Sequence, residues 1–209
     1  DSLMALEFKN RLQKLLGDKI SFDNDSSVHQ ISSKWIKLNS NSEERATTIV
    51  NTFKVDLNFI CIKIAENDDE LEQIHRLNYQ AFVEEIPQHI ESKNSSRLLV
   101  DKFHHENKYF IALYENEVIG MVAFRQERPF SLDYKLTNLD DYINNENKYC
   151  ELRLFYIKPK FRNSQISLLL INAVIEYAIN SGCTAAVACA YVKQIPLYLR
   201  LGFDPFGPK

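Results

Sequence analysis

The sequence predicts an α/β (α+β) protein: a mixed, mostly antiparallel central sheet flanked by helices, with a partly helical N-terminal appendage. Three observations lead there. Tyr109 to Tyr114 and Val118 to Phe124 flank the turn Glu115-Asn116-Glu117, which is a hairpin pattern. An apolar strand-like run at 151–157, a helical pattern from 166 and a second apolar run at 184–190 follow in order, and strand–helix–strand calls for a parallel pair. Residues 1–56, by contrast, show helical periodicity only at their start and carry no chemical motif. The expected division is an appendage at 1–56 and one domain at 57–209, and 209 residues suffice for a core without staples.

Each element has its own justification. Leu3, Met4, Leu6, Phe8, Leu12, Leu15 and Leu16 lie among charges and stop at Gly17, the pattern of an amphipathic helix over 1–18. Residues 19–56 are rich in Ser and Asn, and packing or dimerisation is their plain reading. Leu57 to Ala65 is β-branched and partly alternating, a strand. Asn67-Asp68-Asp69 caps a helix whose apolar positions are Leu71, Ile74, Leu77, Tyr79, Ala81 and Phe82, and Glu84-Glu85-Ile86-Pro87 ends it. Ser95-Ser96 caps a further short helix through Leu98, Leu99, Val100 and Phe103. After the hairpin, 126–148 is a polar insert in which Thr137 to Tyr142 makes one or two helical turns. The helix after Arg162 is apolar nearly all round and ends at Asn180-Ser181-Gly182. Leu197 to Leu201 forms a short helix stopped at Gly202, and Phe203 opens a last short segment.

Composition narrows the function. Net charge is −3 and the isoelectric point about 6.0, which argues against a nucleic-acid surface. Cys61, Cys150, Cys183 and Cys189 form no C-x-x-C pair, and three sit in apolar runs, so buried thiols in a reducing cytosol are expected. His and Cys lack ligand spacing, so no metal is expected. No apolar run is long enough to cross a bilayer. The chain begins at Asp1, without Met, which fits a piece of a longer product. His104-His105 point apart on a helix and are expected to be surface histidines.

The stretch ELRLFYIKPKFRNSQISLLLINAVIEYAINSG, 151–182, carries the chemistry. A strand runs into a basic turn, and a helix starts abruptly after it. Helix N-termini present free N–H groups and a positive dipole end, so this arrangement suits a phosphorylated ligand.

This order of elements resembles the GNAT (Gcn5-related N-acetyltransferase) superfamily over about 57–206. Glu151 to Arg162 is similar to the family's central strand and acyl-CoA loop. Leu197-Tyr198-Leu199-Arg200-Leu201-Gly202-Phe203 is similar to its late Tyr-x-x-x-Gly-Phe motif. Leu77 to Glu85 looks like the first helix of the branch of acyl-homoserine-lactone and N-acyl amino acid synthases. The family loop usually runs Arg/Gln-x-x-Gly-x-Gly/Ala, whereas here Arg162, Gln165 and Ser167 stand at the matching places. The family's usual asparagine ahead of the tyrosine matches Tyr191.

The resemblance implies an enzyme moving an acetyl or longer acyl group from acyl-CoA to an amine, a small molecule or a protein lysine, by direct attack in the cytoplasm. Acyl carrier protein is a donor in the synthase branch. Phe155, Tyr156, Ile157 and Lys158 would offer backbone groups to the thioester arm. Arg162, Asn163, Ser164, Gln165, Ile166 and Ser167 would face the phosphates, with Lys158 and Lys160 nearby. Tyr198 would protonate the leaving thiolate and Glu151 would take the amine's proton. Arg153 would pair with an acidic acceptor or with Glu151. A core tyrosine and a structural carboxylate are the competing readings of Tyr198 and Glu151. The changed loop supports an alternative, a catalytically weak sensor or interaction domain of a longer protein.

Overall fold

The computed structural model describes residues 2–8, 59–86, 96–162 and 164–207. Strands β1 (Ser2–Glu7), β2 (Ile60–Ile64), β3 (Lys108–Tyr114), β4 (Glu117–Arg125), β5 (Tyr149–Ile157), β6 (Ala185–Ala190) and β7 (Asp204–Phe206) form one sheet in the order β2-β3-β4-β5-β6-β1-β7. Every neighbouring pair is antiparallel except β5 and β6. Helices α1 (Asp68–Tyr79), α2 (Ile166–Asn180) and α3 (Ile195–Arg200) complete the framework.

The N-terminal expectation needs correction. Ser2–Glu7 is a strand between β6 and β7, not the first turns of a helix. The apolar residues satisfy both periods: Met4, Leu6 and Phe8 alternate into the main core, while Leu3 and Ala5 meet the opposite face. Long-range pairing with β6 decides between them. The remainder of the expected appendage, residues 9–56, lies outside the described residues, as do 57 and 58. The helix expected from Ser95-Ser96 to Phe103 is also absent: 97–101 has no regular structure and 102–106 is turns.

The other elements follow their sequence logic. Asn67 Oδ1 accepts from the Glu70 N–H at 2.9 Å, capping α1, and Asp68, Asp69 and Glu70 fill its first turn. The helix then widens into a π-helical stretch, Gln80–Glu85. Glu115 and Asn116, with φ of 51° and 65°, make the β3–β4 turn. In β4, a Cβ on Gly120 would stand 3.2 Å from both Ile157 and Leu170, so β5 and α2 close in there because the position carries no side chain. One face of the sheet packs on α2, through Ile166, Leu170, Val174 and Ala178. The opposite face packs on α1 through Ile74 and Leu77, and at the β6–β1 end on the insert through Phe130, Leu132 and Leu139. The insert has two short 3₁₀ turns, Ser131–Tyr134 and Leu139–Asp141. Arg128 clamps them by reaching Asp133 and, at 2.6 Å, Asp140.

Cys150 and Cys183 are buried as expected and Cys189 is half-buried, but Cys61 is exposed. It stands on the edge strand β2, where alternation turns it to solvent.

Candidate active site

β5 is irregular in two ways, and together they make a cavity. A bulge sets Leu154 and Phe155 opposite the single residue Val122, with Leu154 in left-handed backbone at φ 54°. The extra residue restores the alternation: Cys150 and Leu152 before it, and Phe155 and Ile157 after it, all enter the α2-side core. Second, β6 pairs with β5 only from Tyr149 to Leu152. Beyond Leu152 the strands diverge, leaving one backbone edge of β5 unpaired by any described strand. A cavity of 530 Å³ opens against this part of β5.

Glu151 is fully buried and does not line the cavity. Ser131, which does, stands between: its N–H donates to Glu151 Oε2 at 2.8 Å and its hydroxyl to Oε1. Burial pushes the Glu151 carboxyl up, against the opposing pull of Ser131 and of Arg153. Arg153 sits 3.7 Å from Glu151 but makes its bidentate pair with Asp101, at 2.7 and 3.0 Å.

The raised Glu151 carboxyl has a stability signature. A folded-state value above the unfolded one contributes stability that is full below the ordinary carboxylate range and is lost as pH rises through the folded value. Glu151→Gln keeps the shape and has no proton to lose. The wild-type unfolding free energy minus that of the variant is expected to fall as pH rises above the ordinary carboxylate range. A difference that rises with pH would refute the raised value.

Tyr198 comes from α3, which lies under the divergence of β5 and β6. It packs edge-on against Phe155 at 6.2 Å and Phe203 at 5.2 Å, and its side chain lines the cavity. Its hydroxyl makes no hydrogen bond with a described residue. Burial, and after it the nearby Cys189, push its pKa up, so it stays a neutral phenol. Cys189 lines the cavity too and receives the Lys135 ammonium at 2.9 Å.

The phosphate end of the site is less open than the sequence implies. Arg162 is held by Glu85 through two bonds of 2.6 Å and donates to the Ile157 carbonyl at 2.9 Å. Tyr156 lies under the guanidinium and donates to Glu85 at 2.7 Å. Arg162 holds the Glu85 carboxyl below its ordinary range. The π-helical stretch at the end of α1 delivers Glu85 to this place. Lys158 pairs with Glu117 at 2.5 Å. The side chain of Ser164 turns back to the Phe161 carbonyl at 2.6 Å and accepts weakly from the Ile166 N–H at 3.4 Å. Ile166 is core, and it has only backbone to offer a ligand. Gln165 is exposed at the N-cap with no side-chain cap bond, and Ser167 is half-buried. The first N–H groups of α2 have no carbonyl within the helix. Asn163 lies outside the described residues.

β5 thus brings Phe155, Tyr156, Ile157, Lys158 and Arg162 together, with Tyr198 beside Phe155 and Glu151 one hydrogen bond behind the wall. Sequence reading missed Asp101, Ser131, Asn78 and the Arg162–Glu85 pair. The partners of Ser131, Asp101 and Arg162 lie from 20 to 77 positions away, and no local pattern announces them.

Among the described residues, no group of three His, Cys, Asp or Glu could hold a metal ion. No helix among them is long and apolar enough to cross a membrane.

A family model described as Acetyltransferase (GNAT) family matches residues 69–203, more than half of the chain. No curated protein matches it significantly. Among solved structures, the acyl-homoserine lactone synthase LasI superposes with a TM-score of 0.55 at 18% identity, covering 69% of this chain and 79% of that one. The CoA-dependent acyl-homoserine lactone synthase BjaI superposes with 0.53 at 23% identity, covering 66% of each chain. AAC(6')-Iy, solved with a bisubstrate analogue of CoA and acetylneamine, superposes with 0.51 at 18% identity, covering 72% and 94%. At these identities the likeness is one of fold.

Proposed function

The chain belongs to the acetyltransferase (GNAT) family, and from that premise of acyl transfer we propose that it is an N-acyltransferase moving an acetyl or longer acyl group from acyl-CoA to an amine by direct attack. Acyl carrier protein is the other donor of the same thioester chemistry. One observation carries the reading: the edge of β5 that no described strand pairs runs between a helix N-terminus with an arginine at one end and, in the middle, the buried Tyr198, whose hydroxyl bonds to no described residue.

In this reading the phosphates sit at Arg162 and the first N–H groups of α2, and the pantetheine arm lies along β5. The neutral amine attacks the thioester carbonyl. Free N–H groups at the bulge receive the growing negative charge. The carbon–sulfur bond breaks, and the thiolate takes the Tyr198 proton. A buried phenol is a poorer acid than usual, but the same burial raises the thiol's pKa, so the two stay close. The proton released by the amine passes through Ser131 or water to Glu151, whose raised value suits a base.

The Arg162–Glu85 pair favours a second reading, a domain that holds CoA weakly, because a phosphate must displace a carboxylate. Thermal stabilisation by acetyl-CoA, a long-chain acyl-CoA and free CoA separates the two. Ligand at 100 times its Kd adds about 2.7 kcal/mol. Glu85→Gln is expected to tighten CoA binding by about tenfold, since it removes the competing charge. No stabilisation of either protein by any of the three ligands would sink the acyltransferase reading.

A further inference from the structure

Asn78 breaks the pattern of α1. Ile74 lies one turn before it and Phe82 one turn after it, and both belong to the core formed with Ile111, Met121 and Tyr156. From Ile74 to Phe82 the sheet-facing stripe of the helix is apolar except at this position. Asn78 is 1% exposed, yet neither its Oδ1 nor its Nδ2 has a hydrogen-bond partner among the described residues. Asparagine is also a poor helix former, and a buried amide left unpaired costs stability at both ends. Leucine, of similar size, would carry none of these costs. An amide held against propensity and solvation alike is explained by a ligand that uses it.

The cavity gives that ligand its place. Asn78 lines it together with Leu154, Phe155 and Tyr198. Leu154, the left-handed residue of the β5 bulge, packs against the same core as Ile74 and Phe82. Asn78 therefore stands on the α1 side of the bulge, whereas Tyr198 comes from α3 and Arg162 follows the far end of β5. A donor running from Arg162 along β5 brings its thioester carbonyl to the bulge, and the acceptor must reach that carbon from the side the donor leaves open. Ser131, which bonds to Glu151, lines the same cavity.

A carboxamide presents one acceptor and one donor side by side. Its ligand must offer a donor and an acceptor on neighbouring atoms. A neutral primary amine supplies the donor: one N–H goes to Oδ1, the lone pair is left to attack, and the second hydrogen is left to depart. A neutral amide among apolar residues is matched at Nδ2 by an uncharged oxygen. We infer that Asn78 orients the acceptor, its Oδ1 accepting from the attacking amine and its Nδ2 donating to a neutral oxygen on the adjoining carbon, so that vicinal amino alcohols are preferred to plain alkylamines. No bond is made or broken at Asn78; it fixes the direction of the amine lone pair. This rests on the acyltransferase reading for its chemistry, but not for its binding.

The test is calorimetric binding to the whole chain saturated with free CoA. Leucinol is compared with isoamylamine, and phenylalaninol with phenethylamine, in the wild type, Asn78→Leu and Asn78→Ala. Each amino alcohol is expected to bind the wild type about fivefold more tightly than its partner, the size of one neutral hydrogen bond. In both variants the ratio is expected to fall to near one, and the alanine variant carries the comparison should the leucine variant not fold. Without ligands, Asn78→Leu is expected to melt about 2–4 °C above the wild type, a gain that an amide with a structural role would not allow. No binding of either member, equal binding by the wild type, a preference kept in either variant, or a folded leucine variant that melts below the wild type would overturn the inference. Turnover with acetyl-CoA is read separately: amino alcohols bound with the expected preference but never acylated would remove the acyltransferase reading and leave the Asn78 subsite standing.

Discussion

Replacing Asp101 with alanine is expected to lower the unfolding free energy by about 3–5 kcal/mol, the cost of stranding one partner of a buried ion pair. The Asp101 and Arg153 side chains are only 8% and 12% exposed. Arg153 would keep its charge beside the Phe103 ring, 4.7 Å away, with Glu151 too distant at 3.7 Å for a hydrogen bond. For a domain of this size the melting temperature should drop on the order of 10 °C. Asp101→Leu combined with Arg153→Met removes both charges and should recover most of the loss. Denaturant unfolding of the single and double variants decides the matter; a single variant within about 0.5 kcal/mol of wild type would show that the pair is not load-sharing. Burial alone would push the Asp101 carboxyl up, but the Arg153 bonds outweigh it and hold the carboxyl below its ordinary range. Its contribution is therefore present above the unfolded-state value and is lost as pH falls through the folded one.

The second large effect is catalytic. Tyr198→Phe is expected to slow acyl transfer about 10²- to 10⁴-fold, the usual worth of a positioned general acid. Acyl-CoA binding should stay within about threefold, because the ring contacts with Phe155 and Phe203 survive. Among the described residues, the hydroxyl makes no hydrogen bond whose loss would disturb the fold. Single-turnover rates with several amines, alongside equilibrium binding, separate the two effects. Retained turnover would return Tyr198 to the role of a core aromatic.

The frame of the molecule was legible because its signals are local. The hairpin, the apolar helix α2, the small-residue strand β6 and the Gly-Phe after α3 each announce themselves within about ten residues. Failures came where distant partners decide. Met4, Leu6 and Phe8 suit a strand or a helix, and only β6 chooses. The stretch from Ser95-Ser96 to Phe103 has the residues of a short capped helix, but Asp101 anchors it to Arg153 instead. In the site, position on β5 was readable while partnership was not: Arg162 was seen as a phosphate contact, and its occupation by Glu85 depends on the π-helical widening of α1. For Glu151 the sequence leaves a base and a structural carboxylate open, and the insert places Ser131 in front of it.

The placement of β1 has a kinetic consequence. Its pairing of Leu6 with Ala186 joins residues about 180 positions apart, and β7 pairs with β1. During synthesis β1 emerges before β6 and β7 and waits for nearly the whole described chain before these partners exist. Until then Met4, Leu6 and Phe8 have no sheet to enter, and β6, once made, presents a bare edge of alanines. Closure of so long a loop places this step late and makes folding slow. Refolding should therefore show sheet formation at β3–β4 well before protection of the β1 amides, a sequence that pulsed hydrogen exchange can resolve.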